Sequence, residues 1–120
     1  MKQYTTPEQT AKLIEQGFEK PKSIRYPKNE KEAERVNTTD FLISDYSIGE
    51  LIEMLPKNIS HPRNTSLNFY LAISFLQSQQ WYVDYETCDS ALCSVAKSEL
   101  IDALYDMIVK LKEEGVIWYE

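Results

Sequence analysis

The acidic side chains near the carboxyl end of the chain have the residue types and the spacing that come closest to a chemical site. Glu99, Asp102 and Asp106 stand at i, i+3 and i+7, so a helix would place all three on one stripe. Carboxylates on one stripe can hold a divalent cation or act as general acid and base. A helix also carries solvated charges opposite its apolar stripe. Three interpretations stay open: a solvated face, an acidic patch for a protein partner, and a carboxylate- or metal-dependent enzyme.

Few other residues could do chemistry. His61, the one histidine, stands between Ser60 and Pro62 in a polar segment, and nothing in the sequence places a nucleophile beside it. The two cysteines, Cys88 and Cys93, are too few for a zinc site and are expected to be free thiols. Three glycines, two of them at predicted helix ends, leave no loop that could cradle phosphates. The sequence predicts no catalytic residue, cofactor or metal ligand and favours a protein that is not an enzyme.

The net charge of −6 is unevenly distributed. Residues 1–36 carry eight Lys/Arg and six Glu, whereas residues 37–120 carry five Lys/Arg and thirteen Asp/Glu. Such an acidic chain is a poor general binder of nucleic acid. The sequence contains no apolar run of about 18 residues, the length that would predict a membrane span. The first residues also lack the apolar stretch of a signal peptide. We expect a cytoplasmic protein whose partner is another protein or a second copy, not a membrane or nucleic acid.

Capping signals mark the first two helices. Thr6 and Gln9 form a capping box around the favourable Pro7, and Gly17 ends that helix. A second capping box begins at Ser47, and this helix ends at Pro56.

The longest predicted helix follows Ser98 as its N-cap, runs to about residue 114 and ends at Gly115. Its apolar stripe consists of Leu100, Ile101, Leu104, Ile108 and Leu111.

A β-hairpin is predicted from two segments of alternating polarity, residues 67–75 and 81–86. The apolar residues of both strands share one face only if the loop between them has an odd number of residues. The simplest register pairs Phe75 with Trp81, Ile73 with Val83, and Leu71 with Tyr85. A helix over 67–78 is the alternative, because Leu67, Leu71 and Phe75 also fit a helical spacing. We expect the apolar face of the hairpin to pack on the last helix.

Two further strands are predicted around Ile24–Tyr26 and Phe41–Ile43, with a possible last strand at 117–119. The segments 57–66 and 88–97 are expected to be loops or connections, and the polar segment 28–37 is expected to be either a loop or one solvent-facing turn of helix. The element order α-β-β-α-β-β-α predicts an α+β fold: a two-layer sandwich with an antiparallel sheet of about four strands and helices on one face. The whole chain, 1–120, is expected to be one domain.

The second face of the hairpin is the other candidate site. Tyr70, Tyr82 and Asp84 point to it, and tyrosine contributes contact area at low entropic cost. This face would also be unremarkable if Ile24–Tyr26 or the 28–37 segment covered it, or if it were the ordinary exterior of an antiparallel sheet. The partner-binding residues predicted from both surfaces are Tyr70, Tyr82, Asp84, Glu99, Asp102 and Asp106.

Three segments carry a resemblance to known proteins: Tyr4–Pro21, Tyr46–Pro56 and Glu99–Ile117. They resemble short uncharacterised proteins of gut bacteria and of their phages and mobile elements. The resemblance implies a complete single-domain cytoplasmic protein and assigns no activity, cofactor or functional residue. Together with the missing catalytic machinery, it leads us to expect a small protein-interaction or regulatory module of mobile-element origin.

Overall fold

The computed structural model describes residues 2–26, 30, 34, 43–60, 68–87 and 91–115. Within these ranges the chain forms three helices and six strands. In chain order they are α1 (Pro7–Glu15), β1 (Ile24–Arg25), β2 (Ile43–Ser44), α2 (Ile48–Met54), β3 (Asn58–Ser60), β4 (Asn68–Phe75), β5 (Trp81–Glu86), β6 (Ala91–Lys97) and α3 (Leu100–Glu113).

The strands form two antiparallel sheets. The main sheet has four strands in the order β3-β4-β5-β6, and β1 pairs with β2 in a separate two-stranded ladder. The predicted α+β class and the four-stranded antiparallel sheet are confirmed. The composition of the sheet differs from the prediction, because β3 and β6 occupy the places expected for the two early strands.

The predicted hairpin register is confirmed. Phe75 pairs with Trp81, Ile73 with Val83 and Leu71 with Tyr85. The loop between the strands, residues 76–80, is odd in length, as the alternation requires. Gln79 lies in this loop with a φ of 63°, in the left-handed region that β-carbon-bearing residues rarely adopt.

Two segments predicted as loops are strands. Residues 58–60 form β3, and residues 91–97 form β6. The period-two pattern of β6 is hidden by a bulge: Tyr85 pairs with Cys93 and Glu86 with Ala91, which leaves Leu92 extra. Both Leu92 and Cys93 pack against the core, so two successive residues face inward and the alternation breaks. Alanine and lysine, which occupy three of the other positions of β6, are also weak strand formers.

The last helix packs on the inner face of the sheet, mainly on β5 and β6. Its predicted apolar stripe is buried, and the core also includes Phe69, Val83 and Tyr85. The prediction that Phe75 joins this core is wrong, because 48% of Phe75 is exposed. The predicted N-cap, Ser98, is also incorrect: the N-cap is Glu99, which makes no side-chain capping bond.

The first two helices begin as predicted, with capping boxes at Thr6 and Ser47. After α1, the amide of Gly17 donates to the carbonyl of Ile14, and the amide of Phe18 donates to the carbonyl of Leu13. This pair of hydrogen bonds is a Schellman motif. Gly17 has a φ of 98° there, which favours glycine.

Several predictions lie outside the described residues. These concern His61, Leu67, Cys88, most of the 28–37 segment, Phe41 and Leu42, and the possible strand at 117–119.

Candidate interaction surfaces

The outer face of the main sheet is one of the two surfaces that the sequence singled out. The register places Tyr70 beside Glu86, and it places Asp84 between Ala72 and Ser94 in the next row. Tyr82 lies in the row after that, between Ser74 and Ala96. Tyr70 is 58% exposed, and most of its neighbours on this face are exposed as well. The helix that covers the sheet, α3, lies on the opposite face.

The chemistry of this outer face is acidic and aromatic. The Ser94 Oγ donates to the Asp84 Oδ1 at 2.5 Å, and the Tyr82 hydroxyl lies 3.3 Å from the Ser78 Oγ. Asp84 and Glu86 are the charged residues that the described strands of the main sheet place on this face, and none of their lysine or arginine residues lies on it. Such a face can contact a protein surface that carries basic side chains, with tyrosine rings supplying the contact area.

The second predicted surface, the acidic stripe of α3, is engaged by other parts of the chain. The Glu99 Oε2 accepts the backbone N–H of Lys2 at 2.9 Å. The Asp102 Oδ1 accepts from the Lys2 Nζ and from the Gln9 Nε2, each at 2.8 Å. The Asp106 Oδ2 lies 3.1 Å from the Lys97 Nζ. The stripe therefore anchors the start of the chain and the end of β6.

The pKa values of two carboxyl groups, Asp102 on α3 and Glu50 on α2, are lowered by hydrogen bonds within the fold. Burial acts to raise the pKa of Asp102, but the hydrogen bonds from Lys2 and Gln9 outweigh it and lower the pKa. Burial likewise opposes the lowered pKa of Glu50, whose carboxylate accepts backbone amides of Lys22 and Ser23. Both carboxylates stay ionised and hold neighbouring segments in place.

The six predicted partner-binding residues do not form one site. Tyr70, Tyr82 and Asp84 lie on the outer face of the sheet, whereas Glu99, Asp102 and Asp106 lie on the helix behind it.

Nothing in the described ranges resembles a metal site or a reactive nucleophile. No group of three or more His, Cys, Asp or Glu side chains there is placed to hold a metal ion. Burial raises the pKa of the Cys93 thiol, and its Sγ lies 3.7 Å from the Met107 Sδ, so this thiol is a structural group. Across the described residues, no helix is long and apolar enough to cross a membrane.

A groove of about 600 Å³ lies between the end of α1 and α2. Two of its polar groups bind within the fold: the Tyr46 hydroxyl donates to the Glu19 carbonyl, and Glu50 holds the two amides described above. Burial, with the charges of Glu50 and Glu19, raises the pKa of Tyr46 to about 12, so its hydroxyl is a donor and not a base at neutral pH. Tyr46 and Glu50 therefore hold neighbouring segments of the fold in place at this groove.

A smaller groove of about 410 Å³ lies beside β6. It is lined by Val95, Asp106, Val109, Lys110, Glu113 and Glu114. The sequence could not predict this groove, because it depends on β6 being the edge strand beside α3.

Comparison of the chain with protein-family models, with curated proteins and with solved structures finds no match. The two candidate surfaces are therefore interpreted from their geometry alone, and the resemblance to proteins of gut bacteria and their mobile elements stays a prediction.

Proposed function

We propose that this protein is a small cytoplasmic protein-interaction module that binds a protein partner with a basic surface through the outer face of its main sheet. The observation that carries this proposal is the exposure of Tyr70, at 58%, on a sheet face whose described charged residues are all acidic. An exposed aromatic ring on a rigid strand contributes contact area with little loss of entropy. Acidic neighbours favour a basic partner over other proteins.

The contacts of the α3 carboxylates support this function over a carboxylate- or metal-dependent enzyme. Asp102 binds Lys2 and Gln9, and Asp106 pairs with Lys97. A metal ion would have to displace these donors before it could bind. A regulator or accessory protein of mobile-element origin, as the resemblance implies, needs a binding surface and no catalytic site.

The proposal is tested by site-specific crosslinking. A photoreactive phenylalanine analogue replaces Tyr70 in one variant and Tyr26, which is 79% exposed and lies outside the main sheet, in a matched control. We expect a discrete crosslinked partner with a basic binding surface at position 70 and not at position 26. With that partner purified, Tyr70→Ala and Tyr82→Ala should each weaken binding about tenfold, the effect of losing an aromatic anchor.

Tyr26→Ala is the matched substitution for this binding measurement and should leave the affinity unchanged. Equal crosslinking at both positions, or unchanged binding in both Tyr70→Ala and Tyr82→Ala, would remove the outer face as the site. A partner that is captured only through nucleic acid would also contradict the proposal, so each capture is repeated after nuclease treatment.

A further inference from the structure

Among the described residues, one hydrogen-bonding side of the β6 backbone faces no neighbouring strand. The ladder shows which residues of β6 point their N–H and C=O groups to that side. The Leu71 amide donates to the Lys57 carbonyl at 3.1 Å, so Leu71 directs its backbone groups toward β3 and away from β5. In an antiparallel ladder this direction alternates along each strand. The backbone N–H and C=O groups of Tyr85, the partner of Leu71, therefore point to β6. Those of Cys93, the partner of Tyr85, point to β5.

The same alternation continues along β6. Val95 and Lys97 bond to β5, whereas Ser94 and Ala96 direct their N–H and C=O groups away from the sheet. The sheet of the described residues ends at this strand. With seven residues, β6 is longer than the three-residue β3 at the opposite edge, and it contains no proline. Such an edge is a template for an added strand.

The groove beside β6 indicates which side chains an added strand would carry. A residue opposite Val95 would point to the inner face, over Val95 and Val109. Its charged lining is net acidic: three carboxylates, Asp106, Glu113 and Glu114, stand beside one lysine, Lys110. Asp106 pairs with Lys97, whereas Glu113 and Glu114 make no ion pair with another described residue. A lysine or arginine fits this arrangement, because its aliphatic stem covers the two valines while its charged end reaches the glutamates.

The charges also decide between a second copy and a different partner. Two copies paired through β6 would bring two net-acidic grooves together, and each chain has a net charge of −6. Like charges brought together oppose this association. A basic segment meets complementary charge instead.

We propose that the free edge of β6 binds an extended basic peptide segment of a partner protein, which adds as an antiparallel or parallel fifth strand to the main sheet. Its inward side chain opposite Val95, a lysine or arginine, lies in the groove lined by Val95 and Val109 and pairs with Glu113 and Glu114. This site goes beyond the outer-face site and does not share its predicted residues.

The test uses the full chain and a fluorescent seven-residue peptide in which arginine alternates with threonine, matching the length of β6. Fluorescence anisotropy at an ionic strength of about 0.15 M limits unspecific attraction. Glu113→Lys should weaken binding about tenfold, the effect of reversing one close charge. Glu15→Lys is the matched control: both glutamates are exposed and each is the last residue of its helix, but Glu15 lies on α1. It should change Kd less than twofold.

A second set of measurements tests strand addition itself. Ala96→Pro removes an outward N–H and keeps the bonds of β6 to β5, so it should abolish peptide binding while the circular dichroism spectrum is unchanged. In the unaltered protein, the Ser94 and Ala96 amides should exchange rapidly with solvent and become protected in the complex. A peptide of the same charge with proline in place of threonine should not bind.

Equal effects of Glu113→Lys and Glu15→Lys, or no added protection at Ser94 and Ala96, would overturn the proposal. So would a dimer of the protein that Ala96→Pro dissociates, because this result would assign the edge to a second copy. Tyr70→Ala should leave peptide binding intact, so a failure of this site and a failure of the outer-face site are separate results.

Discussion

The Lys2 Nζ and the Asp102 Oδ1 lie 2.8 Å apart although the two residues are 100 positions apart in the sequence. Both side chains are about one-third exposed, so water only partly screens the pair. The backbone N–H of Lys2 also donates to Glu99. The first residues of the chain are thus fixed to the first turn of the last helix.

This ion pair predicts a pH-dependent stability. The pKa of Asp102 is lower in the folded than in the unfolded protein. Its ionised carboxylate therefore stabilises the fold above the unfolded-state pKa of about 3.9, and this stabilisation is lost as the pH falls through the folded-state pKa. Asp102→Asn should lower the free energy of unfolding by about 1 kcal/mol at pH 7, and this difference should shrink below about pH 4. Urea denaturation at pH 7 and pH 3 measures it.

A double-mutant cycle isolates the Lys2 contribution. Lys2→Met should destabilise the protein at pH 7 and should cost little more once Asp102→Asn is present, because the interaction is already lost. Additive effects, or a loss that is the same at both pH values, would show that the ion pair does not stabilise the fold.

A buried chain of hydroxyl groups predicts a second destabilising substitution. The Thr10 Oγ1 donates its one proton to the fully buried Asp45 at 2.6 Å. The Thr5 hydroxyl must therefore donate to the Thr10 Oγ1. The Thr5 Oγ1 in turn accepts the backbone N–H of Tyr46. Thr10→Val leaves buried polar groups without a partner and should cost about 1–3 kcal/mol. Thr10→Ser keeps the hydroxyl and should cost clearly less. If thermal denaturation gives both variants the same melting temperature, the chain of bonds is not stabilising.

The backbone of Gln79 predicts a stabilising substitution. Its φ of 63° strains a residue with a β-carbon, whereas glycine adopts this conformation freely. Gln79→Gly should therefore raise the free energy of unfolding by about 0.5–1 kcal/mol. Part of this gain is offset because glycine increases the conformational entropy of the unfolded chain. Gln77→Gly, at an exposed position without positive φ in the same loop, is the control and should not stabilise. Chemical denaturation of both variants decides the sign.

The parts of the fold that local patterns determine could be predicted from the sequence. Capping boxes fixed the starts of α1 and α2, and the alternation through Phe75 and Trp81 fixed the hairpin register, because a slip of one residue would expose every apolar side chain. The strand β6 could not be predicted, because the bulge at Leu92 breaks its alternation. The strand β3 could not be predicted either, because its three residues include one buried side chain, Ile59, and a single buried residue does not define an alternating pattern.

The candidate sites show the same division. The sequence predicted an exposed Tyr70, since the faces of a strand follow from its alternation. It could not predict that Asp102 binds Lys2, or that Val95 and Val109 line one groove, because these contacts depend on how distant elements pack.

The bonds of the α3 carboxylates predict that divalent metal has no effect on stability. Asp102 already accepts two donors, and a cation would have to replace them. The melting temperature should therefore be the same in millimolar Mg²⁺ or Mn²⁺ as in EDTA, whereas a site occupied at one hundred times its Kd would stabilise the protein by about 2.7 kcal/mol. A rise in melting temperature that Asp102→Asn abolishes would restore the metal-dependent enzyme as an interpretation.

The orientation of α3 predicts a large difference between two residues of one helix. Leu104 is completely buried against the sheet, so Leu104→Ala should cost about 2–5 kcal/mol through lost burial and the cavity it leaves. Asp106 is partly exposed and pairs with the half-exposed Lys97, so Asp106→Ala should cost about 0.5 kcal/mol or less. Chemical denaturation compares the two variants with the unaltered protein. Equal midpoints, or a greater loss in Asp106→Ala, would mean that this helix presents the opposite face to the sheet.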